Sequence, residues 1–184
     1  MTSDEQKYFI ALTPPEPLFS KVHLLKCHFR DTYGARAALR SPPHITLHMP
    51  FNWSGRKEER LINVLGEFAA AQKPIDVRLD NFSCFPPRVI FVAVEENVEL
   101  TQLQRNLHRY CRMNLNLFNA NYQDRPFHPH ITLAFRDLKK SAFELAWKEF
   151  SGRELSEVFT VEAITLLKHN GKEWQVHATL PIQN

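Results

Sequence analysis

The sequence predicts an α+β protein built from two similar halves. Short runs of strand-forming residues alternate along the chain with apolar stripes at helical spacing. The segment His-Ile-Thr-Leu also occurs twice, at residues 44–47 and 130–133, each time after a proline. Each half has the same order of strand, helix, loop, His-x-Thr strand, helix and strand, which indicates an internal duplication rather than a short-period repeat.

The duplication sets the expected domain organisation. Lys7 aligns with Arg88 at the start of the two halves, and the approximate repeats span residues 7–82 and 88–168. Two copies related by an approximate two-fold axis would bring their equivalent strands to one shared cleft. We therefore predict a single two-lobed domain over residues 1–184, in which one chain can complete the site as a monomer.

The elements of the first half follow from local patterns. Residues 8–12 are an apolar run that predicts a buried strand, and Leu61, Leu65 and Phe68 recur at helical spacing. The predicted elements are, in order, a strand at 8–12, a helix at about 16–33, a loop at 32–41, the first His-x-Thr strand closing at Pro50, a helix at about 56–72 and a period-two strand at 75–80.

The second half is read in the same way. Ser141 is the candidate cap of the last helix, with Glu144 in the capping-box position. Asn170-Gly171 is the dipeptide that favours a tight hairpin turn. The predicted elements are a strand at 89–94, a helix marked by residues 100–110, a loop at 114–125, the second His-x-Thr strand, a helix at about 141–150, and a hairpin of residues 158–167 and 174–180.

Composition narrows the class of protein. The chain is 43% hydrophobic and 23% charged, as expected of an ordinary globular protein, and its formal charge of +3 permits but does not demand a nucleic-acid partner. Three cysteines without a Cys-x-x-Cys arrangement predict no disulfide framework, so a reducing cytoplasm is the expected location. No run has the length of a membrane span, and no glycine-rich phosphate loop is present.

The two His-x-Thr segments are the candidate site. In a strand, side chains alternate faces, so His44 and Thr46 point one way, and His130 and Thr132 do the same in their own strand. Imidazole accepts or donates protons near neutral pH, and hydroxyl groups can donate to phosphate oxygens. Facing each other across a cleft, the four side chains fit metal-free, in-line cleavage of a phosphodiester, with the acid and base assignment left open.

The paired motifs, their spacing and the duplicated element order resemble the two-histidine phosphoesterase superfamily, and within it the 2′-5′ RNA ligase and RNA 2′,3′-cyclic phosphodiesterase family. This resemblance covers nearly the whole chain. It implies a bilobal α+β fold, with two pseudo-two-fold-related lobes of antiparallel sheet and outer helices around a central groove. It also implies catalytic roles for His44 and His130, phosphate contacts from Thr46 and Thr132, and a further contact from Arg136 if its strand stays regular.

The resemblance implies an RNA or nucleotide substrate with a 2′,3′-cyclic phosphate or a 2′-5′ linkage, and a 2′-phosphate as the product of cyclic-end opening. Hydrolysis and reversible ligation would use the same pair of histidines. No cofactor, membrane or obligatory protein partner is expected. The alternative is an RNA- or nucleotide-binding module that kept the cleft without turnover; the intact pair of motifs favours the enzyme.

Other residues near the motifs are candidate contacts in the groove. His48 shares the face of His44 in a regular strand, although a structural role is the competing interpretation. Aromatic side chains can stack on bases, but aromatics beside strands usually belong to the core. The candidates for base or groove contacts are His48, Phe51, Trp53, Tyr122, Arg125 and Phe127, and Lys168 is a further candidate phosphate contact.

A metal site is the alternative use of the histidines. His44, His128 and His130 could supply three imidazole ligands, since His-x-His is a known ligand spacing. No acidic or cysteine ligand stands close by in the sequence. A threonine in each motif suits phosphate better than metal, so we favour the metal-free site.

Overall fold

The computed structural model describes residues 4–118 and 126–183. Within these ranges the chain forms eight strands, four α-helices and two short 3₁₀ helices. The strands are β1 (Glu5–Leu12), β2 (Ile45–Ser54), β3 (Ile75–Phe85), β4 (Val89–Val94), β5 (His130–Ala134), β6 (Ser156–Val161), β7 (Ala163–His169) and β8 (Trp174–Pro181). The helices are α1 (Leu18–Tyr33), α2 (Glu58–Ala70), α3 (Val98–Leu115) and α4 (Lys140–Phe150), and the 3₁₀ helices are Ala37–Arg40 and Gly55–Lys57.

All eight strands form one antiparallel sheet in the order β6-β3-β4-β5-β2-β1-β7-β8. We call β2, β1, β7 and β8 the first half-sheet, and β5, β4, β3 and β6 the second. The last strand of each half of the sequence lies in the other half-sheet, since β3 pairs with β4 and β7 pairs with β1. The predicted α+β class with antiparallel strands is confirmed, whereas the origin of the single domain by duplication of residues 7–82 and 88–168 stays a prediction.

One core joins the helices to one face of the sheet. Tyr8, Ile10 and Leu12 of β1 enter it together with the apolar faces of all four described helices. The opposite face of β1 carries Phe9 and Ala11, which belong to a separate small cluster. This period-two alternation separates a helix-covered face from the opposite face, which we call the groove face.

Several element boundaries differ from the sequence prediction. β2 does not close at Pro50 but continues to Ser54, because an irregular pairing with β1 accommodates the proline, which cannot donate to the ladder. Ser141 does not cap α4: the N-cap residue is Lys139, and no side chain caps that end. α3 also runs through Asn114 to Leu115, so the predicted loop begins later.

The predicted strand at 158–167 is two strands. The ladder breaks at Glu162, where β6 ends its pairing with β3 at one side of the sheet and β7 begins its pairing with β1. Residues 158–167 contain no glycine or proline, so the change of partner leaves no turn signal in the sequence. The predicted hairpin is confirmed for its second part, since β7 pairs with β8 around Asn170-Gly171.

Candidate functional site

The two His-x-Thr strands meet at the centre of the sheet. Ile45 of β2 pairs with Ile131 of β5, and both side chains are fully buried in the core. Because side chains alternate along a strand, the residues on either side of each isoleucine project from the groove face. That face of the junction carries four half-buried polar side chains: His44, Thr46, His130 and Thr132.

The antiparallel register interleaves the two motifs. Ile45 lies opposite Ile131. Extended by one residue in each direction, this antiparallel register would place Thr46 across from His130 and His44 across from Thr132. Directly opposed residues in such a pair have Cβ atoms about 5 Å apart. Each histidine is therefore a neighbour of the other motif's threonine, and one small anion could contact both motifs.

The two imidazoles are held in the same way. Nδ1 of His44 lies 2.7 Å from the carbonyl oxygen of Pro42, and Nδ1 of His130 lies 2.7 Å from that of His128. A carbonyl oxygen can only accept, so Nδ1 is the donor in both rings. In the neutral imidazole this leaves the lone pair on Nε2, the nitrogen that can accept a proton from a bound ligand.

Burial lowers the pKa of both imidazole rings. Desolvation lowers the pKa of His44 to about 3, with smaller contributions from the charges of Lys26 and His130, against the hydrogen bond to Pro42. Desolvation also lowers the pKa of His130, and its hydrogen bond to the His128 carbonyl opposes that shift. Both histidines are therefore neutral at pH 7 in the absence of a ligand.

An aromatic cluster borders His44. The Phe9 ring lies 4.9 Å from the His44 ring and 4.7 Å from Trp174, and His169 lies 4.9 Å from Trp174, all between ring centroids. A cavity of about 330 Å³ is lined by Trp174 and by Pro42, whose carbonyl binds His44.

A second aromatic cluster borders His130. Phe91 lies 4.7 Å from the His130 ring and 4.6 Å from Phe85, between ring centroids. His128 is exposed and lies 5.3 Å from Phe85, which is itself 43% exposed. Each motif histidine thus packs against a buried ring, Phe9 or Phe91, and a more exposed aromatic side chain, Trp174 or Phe85, lies next to that ring.

The sequence analysis missed these aromatic residues, although alternation carried the signal. Phe9 lies between core residues of β1, and Phe91 lies between Ile90 and Val92, both in the core. Aligning Lys7 with Arg88 pairs Phe9 with Ile90, which lie on opposite faces. The alignment of Lys7 with Arg88 is therefore shifted by one residue in this strand.

His48 is not a groove residue. It is 1% exposed, its Nδ1 lies 2.9 Å from the Met49 carbonyl oxygen, and its ring is 5.1 Å from that of His108 on α3. The register of β1 with β2 shifts between Ile10 and Ala11, which turns His48 to the helix-covered face. The predicted groove contact of His48 is wrong. Its burial and its contacts with Met49 and His108 agree with a structural role, which was the competing interpretation.

The three aromatic candidates that the structure describes, Phe51, Trp53 and Phe127, pack against the main core. Phe127 is partly buried and packs against the main core, as Phe51 does, and Phe51 stacks on Tyr8. Trp53 packs against the same core and donates its indole N–H to the Lys57 carbonyl. The remaining two candidates, Tyr122 and Arg125, lie outside the described residues.

The candidate phosphate contacts outside the motifs are placed differently from prediction. β5 ends at Ala134, and Arg136 is exposed with φ 57°, its guanidinium 5.0 Å from the Phe135 ring centroid. The regular strand on which the Arg136 prediction depended is therefore absent. Lys168 lies on the helix-covered face, 2.5 Å from Glu58, so its predicted phosphate contact is wrong.

Within residues 4–118 and 126–183, no group of three or more His, Cys, Asp or Glu side chains is arranged to hold a metal ion. The alternative site of His44, His128 and His130 is therefore not formed there. None of the described helices has the length and apolar character needed to cross a bilayer.

The fold and the paired motifs coincide with a match to a known family. The sequence profile of the 2′-5′ RNA ligase superfamily matches residues 14–173. The chain belongs to this superfamily, whose phosphoesterase and ligase activities make it an enzyme family.

Curated relatives agree with this assignment. The Geobacillus kaustophilus (strain HTA426) protein named "Putative phosphoesterase GK0864" is 30% identical, and the alignment covers 94% of each chain. A relative of the same description from Geobacillus thermodenitrificans (strain NG80-2) is 30% identical over 84% of this chain and 86% of its own.

Solved structures share the fold. The crystal structure of TT0787 from Thermus thermophilus matches with a TM-score of 0.66 at 20% identity and covers 97% of this chain and 98% of that one. The Escherichia coli LigT structure complexed with 3′-AMP matches with a TM-score of 0.64 at 20% identity, covering 98% and 99%. At this identity the likeness establishes the α+β architecture alone.

Proposed function

We propose that the protein is a metal-independent phosphodiesterase that opens 2′,3′-cyclic phosphates of RNA or nucleotides to 2′-phosphates. Reversible ligation uses the same pair of histidines, with a 5′-hydroxyl in place of water attacking the cyclic phosphate to form a 2′-5′ bond. His44 and His130 exchange protons with the reacting oxygens, and Thr46 and Thr132 bind the phosphate. The observation that carries this proposal is the pairing of Ile45 with Ile131, which sets both motifs on one face of the sheet.

The proposed reaction uses the two imidazoles in opposite protonation states. The base accepts a proton from water at its Nε2 while the water oxygen bonds to phosphorus. The P–O3′ bond breaks, and the acid gives its proton to O3′, leaving the phosphate on O2′. In-line displacement places the entering and leaving oxygens on opposite sides of phosphorus, which suits two histidines contributed by different strands.

The threonine hydroxyls are suited to the non-bridging oxygens. Thr46 and Thr132 are half-buried on the same face as the histidines. A hydroxyl that donates to an oxygen on which negative charge develops stabilises the transition state, and removing one such donor typically slows the chemical step about 10²–10³-fold. The negative charge of a bound phosphate favours protonation of one neighbouring imidazole, which supplies the acid that the two neutral rings lack without a ligand.

The aromatic clusters support a nucleotide as the substrate. Trp174 is partly exposed and packs on Phe9, the neighbour of His44, and Phe85 is 43% exposed beside His130, whereas Phe9 and Phe91 are buried. Stacking on such surfaces contributes about 1–3 kcal/mol per base without demanding a particular base. We assign Trp174 and Phe85, rather than the aromatic candidates that pack against the core, to the flanking nucleosides.

The test is hydrolysis of the four nucleoside 2′,3′-cyclic monophosphates with EDTA present, by wild type and by His44→Ala and His130→Ala. His177→Ala is the matched control, because His177 lies outside the motifs, with its Nε2 3.1 Å from a carboxylate oxygen of Glu58. We expect turnover by wild type and the control, its collapse in both motif variants, and a 2′-phosphate product.

Other outcomes contradict the proposal in different ways. Activity that EDTA abolishes would contradict a metal-independent reaction. Full activity in either motif variant would remove that histidine from the chemistry. Binding of cyclic-ended or 2′-5′-linked RNA without turnover of any of these substrates would instead support the nucleotide-binding module.

A further inference from the structure

The cavity beside the first motif, which we call the Glu173 cavity, has the size of a small-ligand site. Its volume is about 330 Å³, within the range of about 300–1,000 Å³ that is typical of such sites. Pro42 lines it and also accepts the hydrogen bond from His44 Nδ1. Trp174 lines it and packs on Phe9, which in turn packs on His44. A ligand in this cavity therefore lies next to a phosphate held by the first motif.

Three elements supply apolar side chains to the Glu173 cavity. Trp174 begins β8, Phe19 lies on α1, and Leu39 lies on the 3₁₀ helix Ala37–Arg40. All three side chains are partly buried, so each keeps some surface for a ligand. An aromatic ring that is partly exposed favours a planar ligand, because any nucleobase can stack on it.

One carboxylate lines the cavity. Glu173 is partly buried and immediately precedes Trp174. Its backbone N–H donates to Asn170 Oδ1 at 2.9 Å and its carbonyl oxygen accepts from the Asn170 N–H at 3.0 Å, so the turn between β7 and β8 fixes its position. Gln175 Nε2 donates to one carboxylate oxygen at 3.2 Å. A carboxylate has about four acceptor sites, so this one can accept further donors from a ligand.

The charge of the lining favours a base over a phosphate. Among the described residues that line the cavity there is no lysine or arginine. In the described part of the chain no basic side chain forms an ion pair with Glu173. A carboxylate without a cation repels a phosphate but accepts from neutral N–H groups. The phosphate of a nucleotide is therefore left to the motif, and the cavity is left to the base.

Nucleobases differ in the donors that they offer to a carboxylate. Guanine carries N1–H and the N2 amino group side by side on its Watson–Crick edge, and these two donors match the two carboxylate oxygens. Adenine and cytosine offer one amino group beside an acceptor nitrogen, and uracil offers one N–H between two carbonyl oxygens. Because a carboxylate only accepts, it favours guanine most and uracil least.

We propose that the Glu173 cavity is a base-specificity site, in which Trp174 stacks on guanine and the Glu173 carboxylate accepts from N1–H and the N2 amino group. This inference rests on the proposed function for the nucleotide as ligand, and it names the base that the site selects. The selection does not involve the chemistry at the two motifs, so binding tests it without turnover.

The experiment is isothermal titration calorimetry with guanosine 2′-monophosphate and uridine 2′-monophosphate, neither of which contains a phosphodiester. In wild type we expect the guanosine nucleotide to bind at least about fivefold more tightly. Glu173→Gln keeps the side-chain shape and replaces one acceptor by an amide donor, so this preference should disappear. Glu154→Gln removes an exposed carboxylate just before β6, at the other end of the sheet, and should keep the wild-type preference.

The ratio of kcat/KM for guanosine and uridine 2′,3′-cyclic monophosphates should change in the same way. Equal affinity of wild type for the two nucleotides overturns the inference, and so does a preference that folded Glu173→Gln retains. If that variant does not fold, Glu173→Ala takes its place with the same expectation. A preference that depends on Glu173, without turnover of any cyclic phosphate, refutes the proposed function and leaves the base-specificity site standing. Turnover without that preference does the reverse.

Discussion

Ile45 and Ile131 face each other across the junction of the two half-sheets. Both side chains are fully buried beneath the groove face, where they position the motif residues on either side of them. Because side chains alternate along a strand, this one apolar pair determines the face from which the four polar motif side chains project. Core packing and the candidate site are therefore coupled at this point.

We expect Ile131→Ala to weaken both stability and activity. Removing three buried carbons leaves a cavity that destabilises the fold by about 2–5 kcal/mol, and the second motif loses its support. Urea unfolding and turnover of a cyclic nucleotide measure the two effects. Val176→Ala is the control, because Val176 is 50% exposed. Wild-type stability in Ile131→Ala would show that the junction does not depend on this contact.

Replacing the motif threonines should affect catalysis more than folding. Thr46→Val and Thr132→Val keep the side-chain shape and remove the hydroxyl, so kcat should fall about 10²–10³-fold for each. Steady-state kinetics measure the fall in kcat. Thr160→Val is the control, because Thr160 lies on β6 at the end of the sheet and donates to Asp76 of β3. An unchanged kcat in both motif variants would exclude the hydroxyls as transition-state donors.

The aromatic clusters should matter for substrate binding. Trp174→Ala and Phe85→Ala remove stacking surface beside His44 and His130, so KM for a 2′-5′-linked dinucleotide should rise about 5–100-fold while kcat changes less. Leu145→Ala removes an exposed apolar side chain on α4 and is the control. A fall in kcat at constant KM in both variants would point to alignment of the phosphate instead of base stacking.

Acid should destabilise the protein through His48. Burial lowers its pKa to about 4, and no described group bonds its Nε2. The unfolded chain therefore binds more protons between about pH 6.5 and 4, and stability falls as the pH falls through that range. His48→Asn retains a donor near Met49 but cannot be protonated. On acidification its free energy of unfolding should therefore fall by up to about 3 kcal/mol less than that of wild type.

Urea unfolding at several pH values between about 7 and 4 gives this comparison. His177→Asn is the matched control, because His177 is not buried in the core. His44 and His130 also have lowered pKa values, so part of the acid dependence remains in His48→Asn. Equal acid dependence in wild type and His48→Asn would mean that His48 is not neutral in the folded protein.

The sequence by itself determined the local elements and the polar face of each motif. Leu61, Leu65 and Phe68 are buried along α2 as their spacing predicts, and His44 and Thr46 share a face as alternation predicts. These features depend on periods of 3.6 and two residues, which a single segment encodes without reference to the rest of the chain.

Only the tertiary structure decided which strands pair and where regular alternation fails. A register shift turns His48 to the core, and the end of β5 takes Arg136 out of the strand. Lys26 of α1 is buried and donates to three carbonyl oxygens from residues 12 to 16 positions later, after the chain has turned. Pairing, bulges and buried charges depend on contacts between distant segments, and a local sequence pattern does not specify those contacts.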